Sequence, residues 1–322
     1  MRLAKIALAA LGFGLLASAA QADPVKIGLQ PWLGYGPLWV AEQKGFFDAN
    51  GVDVELVNFT WDQDVTAAVA SGNIQVIAIA TNTLILQRSN GIDLKGFLVM
   101  DGSTTADAVL AGTGVQSIAE LKGKKVAYEA GATSDLLMHY ALKANGMTGA
   151  DIEHVPLAAA DAGLALIAGR VDAAVTYEPY ISAALSQDSN FKVLYTAAEK
   201  EGLISDLLAA EAGFITANQE AVTGIIKAWD QAVSFLRQNP EEGGQIIATA
   251  VGAPMEEFTP AFKGVQLYSL AENKTALGGD FQATVVEIGA LMQEANPADV
   301  TTVPASGDEI LDLTAIEAAS TN

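Results

Sequence analysis

The 322-residue chain has no cysteine, two histidines, and 17 lysines and arginines against 38 aspartates and glutamates. Each shortage removes a class of chemistry. Lack of cysteine excludes disulfides and thiolate metal sites. His139 falls in a helical pattern and His154 in a strand-like run, so they form no cluster and no transition-metal site is expected. A formal net charge of −21 argues against nucleic acid and anionic membranes, because both select a basic surface. There is no G-x-S-x-G elbow, no H-E-x-x-H, and no GKS or GKT phosphate loop. Gly34 and Gly36 follow a strand, yet no third glycine completes G-x-G-x-x-G. Acidic residues abound without calcium-loop spacing. Catalytic residues, metals and cofactors are therefore not expected.

What is present is apolar. The chain is 51% hydrophobic and 17% charged, enough for a large core and, at this length, for two lobes. The first 22 residues differ from the rest. Arg2 and Lys5 form a positive head, Ile6 to Ala17 an apolar run too short to span a bilayer, and Ala20-Gln21-Ala22 an A-x-A site before Asp23-Pro24. This predicts a secretory signal cleaved after Ala22, which would move the net charge from −21 to −23. Nothing later resembles a membrane span, so a soluble protein outside the inner membrane is expected.

From residue 25 onward strand-like and helical patterns alternate. VKIGLQ (25–30), VDVELVNF (52–59), QVIAIA (75–80) and GFLVM (96–100) read as strands, separated by helices over 37–47, 62–72 and 82–89. A second set comes next. Ser117 to Glu120 has capping-box spacing, GKKVAYE (123–129) is a strand, and a helix runs from about 134 to Asn145. IEHVPL, a helix ending at Gly169, DAAVTY (172–177), FKVLYTA (191–197) and LLAAEAGFITA (207–217) continue the alternation. The remainder reads as helices over 219–239, 241–250, 256–264 and 280–295. This β-α-β grammar implies α/β architecture with parallel sheets covered on both faces. The chain is expected to cross to a second lobe near 101–107 and return near 205–212. That gives residues 23–106 plus 209–322 in lobe 1 and 107–208 in lobe 2, able to hinge about the crossings.

Ligands in such sheets bind beyond the carboxyl ends of strands. Those ends carry Trp32 and Tyr35; Trp61, Asp62 and Asp64; Thr81 and Asn82; Asp101 and Ser103; Thr133 and Ser134; Tyr177 and Glu178. Each has a structural reading. Trp32 could plug a lobe edge, Asp62 could cap a helix, Thr133 and Ser134 are ordinary caps, and Tyr177 could end a core strand. Their shared position at strand ends, where core demands are weakest, points instead to a ligand cleft.

The segments PWLGYGPLWVAEQKGFFDANGVDVELVNF, AAVASGNIQVIAIATNT, VQSIAELKGKKVAYEAGATS and RVDAAVTYEPY, in this order, resemble periplasmic substrate-binding proteins of ABC importers. The group is the nitrate/sulfonate/taurine and thiamine-precursor (NMT1/THI5-like) family, and the resemblance covers about residues 25–215. It implies a type II periplasmic-binding-protein fold, a ligand held between hinged lobes, and membrane permease subunits as partners. Residue by residue, the family's binding positions match Trp32, Tyr35, Thr81, Asn82, Thr133, Ser134, Tyr177 and Glu178. DGSTTAD (101–107) resembles a segment of amine- and guanidine-type branches.

Charge departs from a purely anionic ligand. Beyond residue 22 the arginines are Arg88, Arg170 and Arg237, none at a predicted strand end. Acids and aromatic rings occupy those ends and suit a cation. The expected function is capture of a small nitrogen-containing cation or zwitterion, such as an amine, a guanidine-like compound, taurine or an aminopyrimidine. Trp32 and Trp61 would stack, Tyr35 and Tyr177 would close over the ligand, and Asp101 and Glu178 would pair with its positive end. Thr81, Asn82, Ser103, Thr133 and Ser134 would supply hydrogen bonds. The alternative within the class is a sulfonate- or nitrate-type anion. Outside it stand a pyrimidine-synthase-like enzyme, opposed by the missing cysteines, and a receptor-coupled sensor. A monomer without nucleic-acid partners is expected.

Overall fold

The computed structural model describes residues 23–200, 202–277 and 279–321. The export segment expected at residues 1–22 lies outside them. Eleven strands are present among the described residues: β1 Val25–Leu29, β2 Val54–Asn58, β3 Val76–Ala80, β4 Leu94–Ser103, β5 Asp107–Ala111, β6 Lys125–Tyr128, β7 Glu153–Pro156, β8 Ala173–Tyr177, β9 Lys192–Thr196, β10 Ser205–Glu211 and β11 Val265–Leu267. They form two sheets, ordered β11-β4-β10-β3-β1-β2 and β7-β6-β8-β5-β9. The mixed α/β architecture matches the expectation.

The sheets are not purely parallel, however. β1 runs parallel to β2 and β3, and β6 parallel to β7 and β8. β10 is antiparallel to β3 and β4, and β5 antiparallel to β8 and β9. The reason is topological. The chain leaves the first sheet along β4, passes three residues later into β5, and re-enters along β10. Each crossing strand meets its new sheet from the end opposite to the β-α-β strands. β10 begins at Ser205, so the return into the first sheet precedes residue 209.

Local sequence explains the elements. β3, VIAIA, is buried at every residue, as a strand covered on both faces must be. The helix Gln219–Gln238 buries Val222, Ile225, Ile226, Trp229, Val233 and Leu236. Those positions recur every three or four residues and form one stripe against the first sheet's helical layer. Fully buried Trp229 donates its Nε1–H to the Tyr268 carbonyl at 2.8 Å, so its polar edge is satisfied.

Three local expectations change. Residues 207–217 are half strand and half helix: β10 ends at Glu211 and a helix covers Ala212–Ala217. Ser117 makes no cap with its side chain; Glu120 instead accepts from the Gln116 amide at 2.9 Å, over a short 3-10 turn. β5 and β11 are not legible as strands in the sequence, since each is a short run beside Gly- or Thr-rich residues.

The C-terminal helices pin the outgoing crossing strand. Asn273, fully buried on the helix Leu270–Leu277, accepts from Val99 N at 2.7 Å and donates to Val99 O at 2.8 Å. Its amide continues the ladder where β11 ends. Asn273→Ala would leave both Val99 groups unpaired, at about 1–3 kcal/mol each. We expect it to lower unfolding stability by about 2–4 kcal/mol in urea denaturation, with an unchanged m-value.

Candidate functional site

A cavity of about 60 Å³ lies between the two sheets. Trp32 and Tyr35 reach it from the turn after β1, Asp62 and Glu129 from the segments after β2 and β6, and Asp107 and Asp206 from the crossing strands. A neighbouring cavity of about 370 Å³, sharing Ala132, opens beside Asn82, His139 and His154. Among the described residues no lysine, arginine or histidine lines the smaller cavity.

The walls touch across the gap. Trp32 meets Tyr177 edge to face, with centroids 5.7 Å apart and planes at 89°. Glu129 Oε1 accepts from the Asp62 amide at 2.9 Å, and Thr133 Oγ1 donates to Asn82 Oδ1 at 3.5 Å. On the outer face, Asn296 Nδ2 donates to Asp135 and Lys143 pairs with Glu294.

The turn WLGY (32–35) organises the floor. Trp32 Nε1 donates to both Asp101 oxygens at 3.1 and 3.2 Å, and Tyr35 OH donates to Asp206 Oδ1 at 2.8 Å. Asp101 and Asp206 face each other across the β4–β10 pairing. Gly34 lies directly under Asp101, so a Cβ there would overlap the carboxylate. That close approach explains the glycine between the two aromatic residues.

Electrostatically the site is a store of unneutralised acid. Burial pushes Asp62 up to about 6, Asp107 to about 7 and Glu129 to about 8, the last also raised by the Asp62 charge. Asp101 and Asp206 are both raised, chiefly by burial; the Asp206 charge adds to the rise at Asp101. Burial also pushes up the Tyr35 and Tyr177 phenols. Asp107 Oδ2 and Ser103 Oγ are buried without a hydrogen-bond partner.

The site residues expected from sequence divide into groups. Trp32, Tyr35, Thr133, Ser134 and Tyr177 line the small cavity. Asp101 sits just beneath it, fully buried, and Ser103 lies nearby on the same strand. Asn82 faces the larger cavity. Thr81 is tied to Ser205 through O and Oγ, a link between β3 and β10 ends. Trp61 is the extended cap residue before the helix Asp62–Ala70, half-buried, and lines neither cavity. Glu178 is committed to Ser182 N and Oγ at 3.0 and 2.9 Å, as the N-terminal support of its own helix.

Sequence reasoning missed Gln30, Thr60, Ile204 and above all Asp206. Asp62, Asp107 and Glu129 count among the strand-end acids that point to a cation in the sequence, but the sequence reading assigns none of them a binding role. The strand-end rule looks after each strand, whereas Asp206 and Asp107 stand at the beginnings of antiparallel strands, whose starts face the cleft. A polar residue opening an otherwise apolar strand, as in SDLLAA and DAVLA, is the signal that would have found them.

Residues 33–243 match the family described as NMT1/THI5 like. The chain belongs to the NMT1/THI5-like family. A relative in Escherichia coli (strain K12), provisionally named an aliphatic sulfonates-binding protein, is 28% identical over 257 residues, 78% of this chain and 79% of its own. A 4-amino-5-hydroxymethyl-2-methylpyrimidine phosphate synthase of Uromyces fabae is 29% identical, but covers only 44% of this chain and 42% of its own. Among solved structures, the alkanesulfonate-binding protein of Xanthomonas axonopodis pv. citri bound to MOPS superposes with a TM-score of 0.72 at 20% identity, covering 94% and 99% of the two chains. The periplasmic nitrate-binding protein of Synechocystis PCC 6803 gives 0.66 at 18%, covering 90% and 91%. These two establish the fold. Relatives that match over most of the NMT1/THI5-like chain are mainly named as binding proteins, one of them as a thiamine biosynthesis protein, and the chain is a solute-binding protein rather than an enzyme.

The raised carboxyls have a stability consequence with a definite sign. Between the ordinary carboxylate range near 4 and the raised values, the folded state holds more protons than the unfolded state. Their contribution is therefore largest at low pH and is lost as pH rises toward about 8. We expect the ligand-free melting temperature to fall by on the order of 5 °C between about pH 5 and pH 8, with the fall reduced in Asp107→Asn, by calorimetry. Gly34→Ala, by displacing Asp101, should lower the melting temperature at every pH.

Proposed function

We propose that the chain is the periplasmic solute-binding component of an ABC importer, exported with cleavage after Ala22 and working as a monomer. Its ligand is a small solute with a positively charged nitrogen, cationic or zwitterionic. The observation that carries this reading is the cavity between the sheets, lined by Asp62, Asp107, Glu129 and Asp206 with no basic residue among the described ones. Uncompensated carboxylates in a dry site favour a cation over an anion. The Trp32 and Tyr177 rings supply flat faces beside it. The small volume suits a head group of few atoms. Residues 104–106, with 197–200 and 202–204 on the return, join the sheets and act as the hinge between lobe 23–106 plus the C-terminal part and the inserted part that begins at 107. The closed, occupied form is the one that docks on the permease subunits.

The sulfonate- or nitrate-type alternative has specific support, and the relatives' names favour it over the cation. The helices Thr81–Ser89 and Thr133–Ala144 begin at or beside the cleft with alanine at the cap position and no side-chain cap. Their first N–H groups are suited to an anion. A zwitterion such as taurine would use both features, its sulfonate at the helix starts and its ammonium at the acids.

Thermal-shift assays with taurine, guanidinium, methanesulfonate and nitrate at millimolar concentration test this. A ligand at about 100 times its dissociation constant adds about 2.7 kcal/mol, a rise on the order of 5–10 °C. We expect taurine or guanidinium to produce it and Trp32→Ala to weaken binding at least about tenfold. A shift by methanesulfonate and nitrate, with none by the nitrogen compounds, would establish the anion reading instead.

A further inference from the structure

Asp107 and Asp206 stand opposite each other in the chain's path: one opens the strand that enters the second sheet, the other lies on the strand that returns to the first. Both line the small cavity and are 6% and 5% exposed. We propose that these two carboxyls are the seat for the ligand's charged nitrogen, and that occupying the seat expels a proton held between Asp206 and Asp101. The proposal rests on the cationic or zwitterionic reading above.

Geometry carries the first half. Asp206 Oδ1 is taken by Tyr35 OH, and the Asp101 oxygens by Trp32 Nε1. Asp107 Oδ2, buried at the cavity wall, makes no hydrogen bond of ordinary geometry, its one donor neighbour being the Ser103 hydroxyl, whose influence holds the carboxyl down without offsetting its burial. A buried carboxylate oxygen without a donor is held at a disadvantage that an incoming N–H⁺ group removes. The seat also joins the two sheets, since Asp206 belongs to one and Asp107 to the other. A nitrogen bonded to both would tie the lobes together through its own charge.

The groups around the pair carry the second half. Asp101 and Asp206 are neighbours on paired strands, deep in the protein. The ionisable groups facing them are Tyr35 from the first turn, Asp62 from the helix after β2, and Asp107 from β5; Glu129 and Glu178 complete the field from the second sheet. None of these carries positive charge. Two adjacent carboxylates in such a place retain one proton between them. The balance is simple. A cation enters, one O–H bond of the pair breaks, the proton passes to bulk water, and the carboxylate left behind neutralises the cation. No oxidant or second reactant takes part.

Two measurements on the purified protein test this. Infrared spectroscopy of the ligand-free protein near neutral pH should show the carbonyl stretch of neutral carboxylic acids, weaker in Asp101→Asn by one acid's share, since Asp107 and Glu129 are raised as well, and diminished by taurine or guanidinium. Isothermal titration with the same two probes, in phosphate and in Tris, should give heats that differ by the ionisation heat of roughly one proton released. Affinity should rise up to about tenfold per pH unit from about pH 6 and flatten above about pH 8. Asp107→Asn should weaken either probe at least about tenfold while keeping the infrared band. Binding with buffer-independent heat, and a band equally strong in Asp101→Asn, overturns the proton exchange and leaves the ligand reading intact. Binding of methanesulfonate alone, with proton uptake, overturns the seat and the cationic reading together. If no probe binds, the seat is overturned, whatever the band shows.

Discussion

A negative charge buried without a counter-charge is the constraint around which this molecule is arranged. Asp101 and Asp206 occupy the two strands that link the sheets, and among the described residues no lysine or arginine stands close enough to neutralise them. The fold answers with neutral donors. One turn, WLGY, supplies an indole N–H to the first acid and a phenol O–H to the second, and its glycine lets the turn lie flush against them. Such donors lessen the burden of desolvation without cancelling charge. The aromatic residues in that turn are therefore structural supports of the floor and walls of the cavity at once.

The architecture was legible because strand and helix periods alternate cleanly and apolar strands such as VIAIA have only one comfortable environment. Trp32, Tyr35, Tyr177, Thr133 and Ser134 could be found by looking at the carboxyl end of each strand. Strand direction leaves no mark in the pattern of a strand, so mixed sheets looked parallel. Asp206 was hidden for the same reason. Side-chain commitment was equally invisible: Glu178 looks like a free acid in sequence, but is spent on Ser182.

Ligand class is where relatives and site pull in different directions. Members of this family carry names that speak of sulfonates and nitrate. Helix starts without caps fit those names, whereas the acids beside them fit a cation. Both features coexist within one small volume, and a solute with both signs of charge meets each requirement without asking either wall to change.

The strand order also sets a sequence of assembly. β10 lies between β3 and β4, so the first sheet has a gap at its centre until residues 205–211 arrive. The inserted sheet has all of its strands by Thr196. On a chain delivered from its N-terminus, the inserted sheet has all its strands before the first sheet can close, and the strand that fills the central gap, β10, carries Asp206 into place beside Asp101, with β11 left to join at the edge.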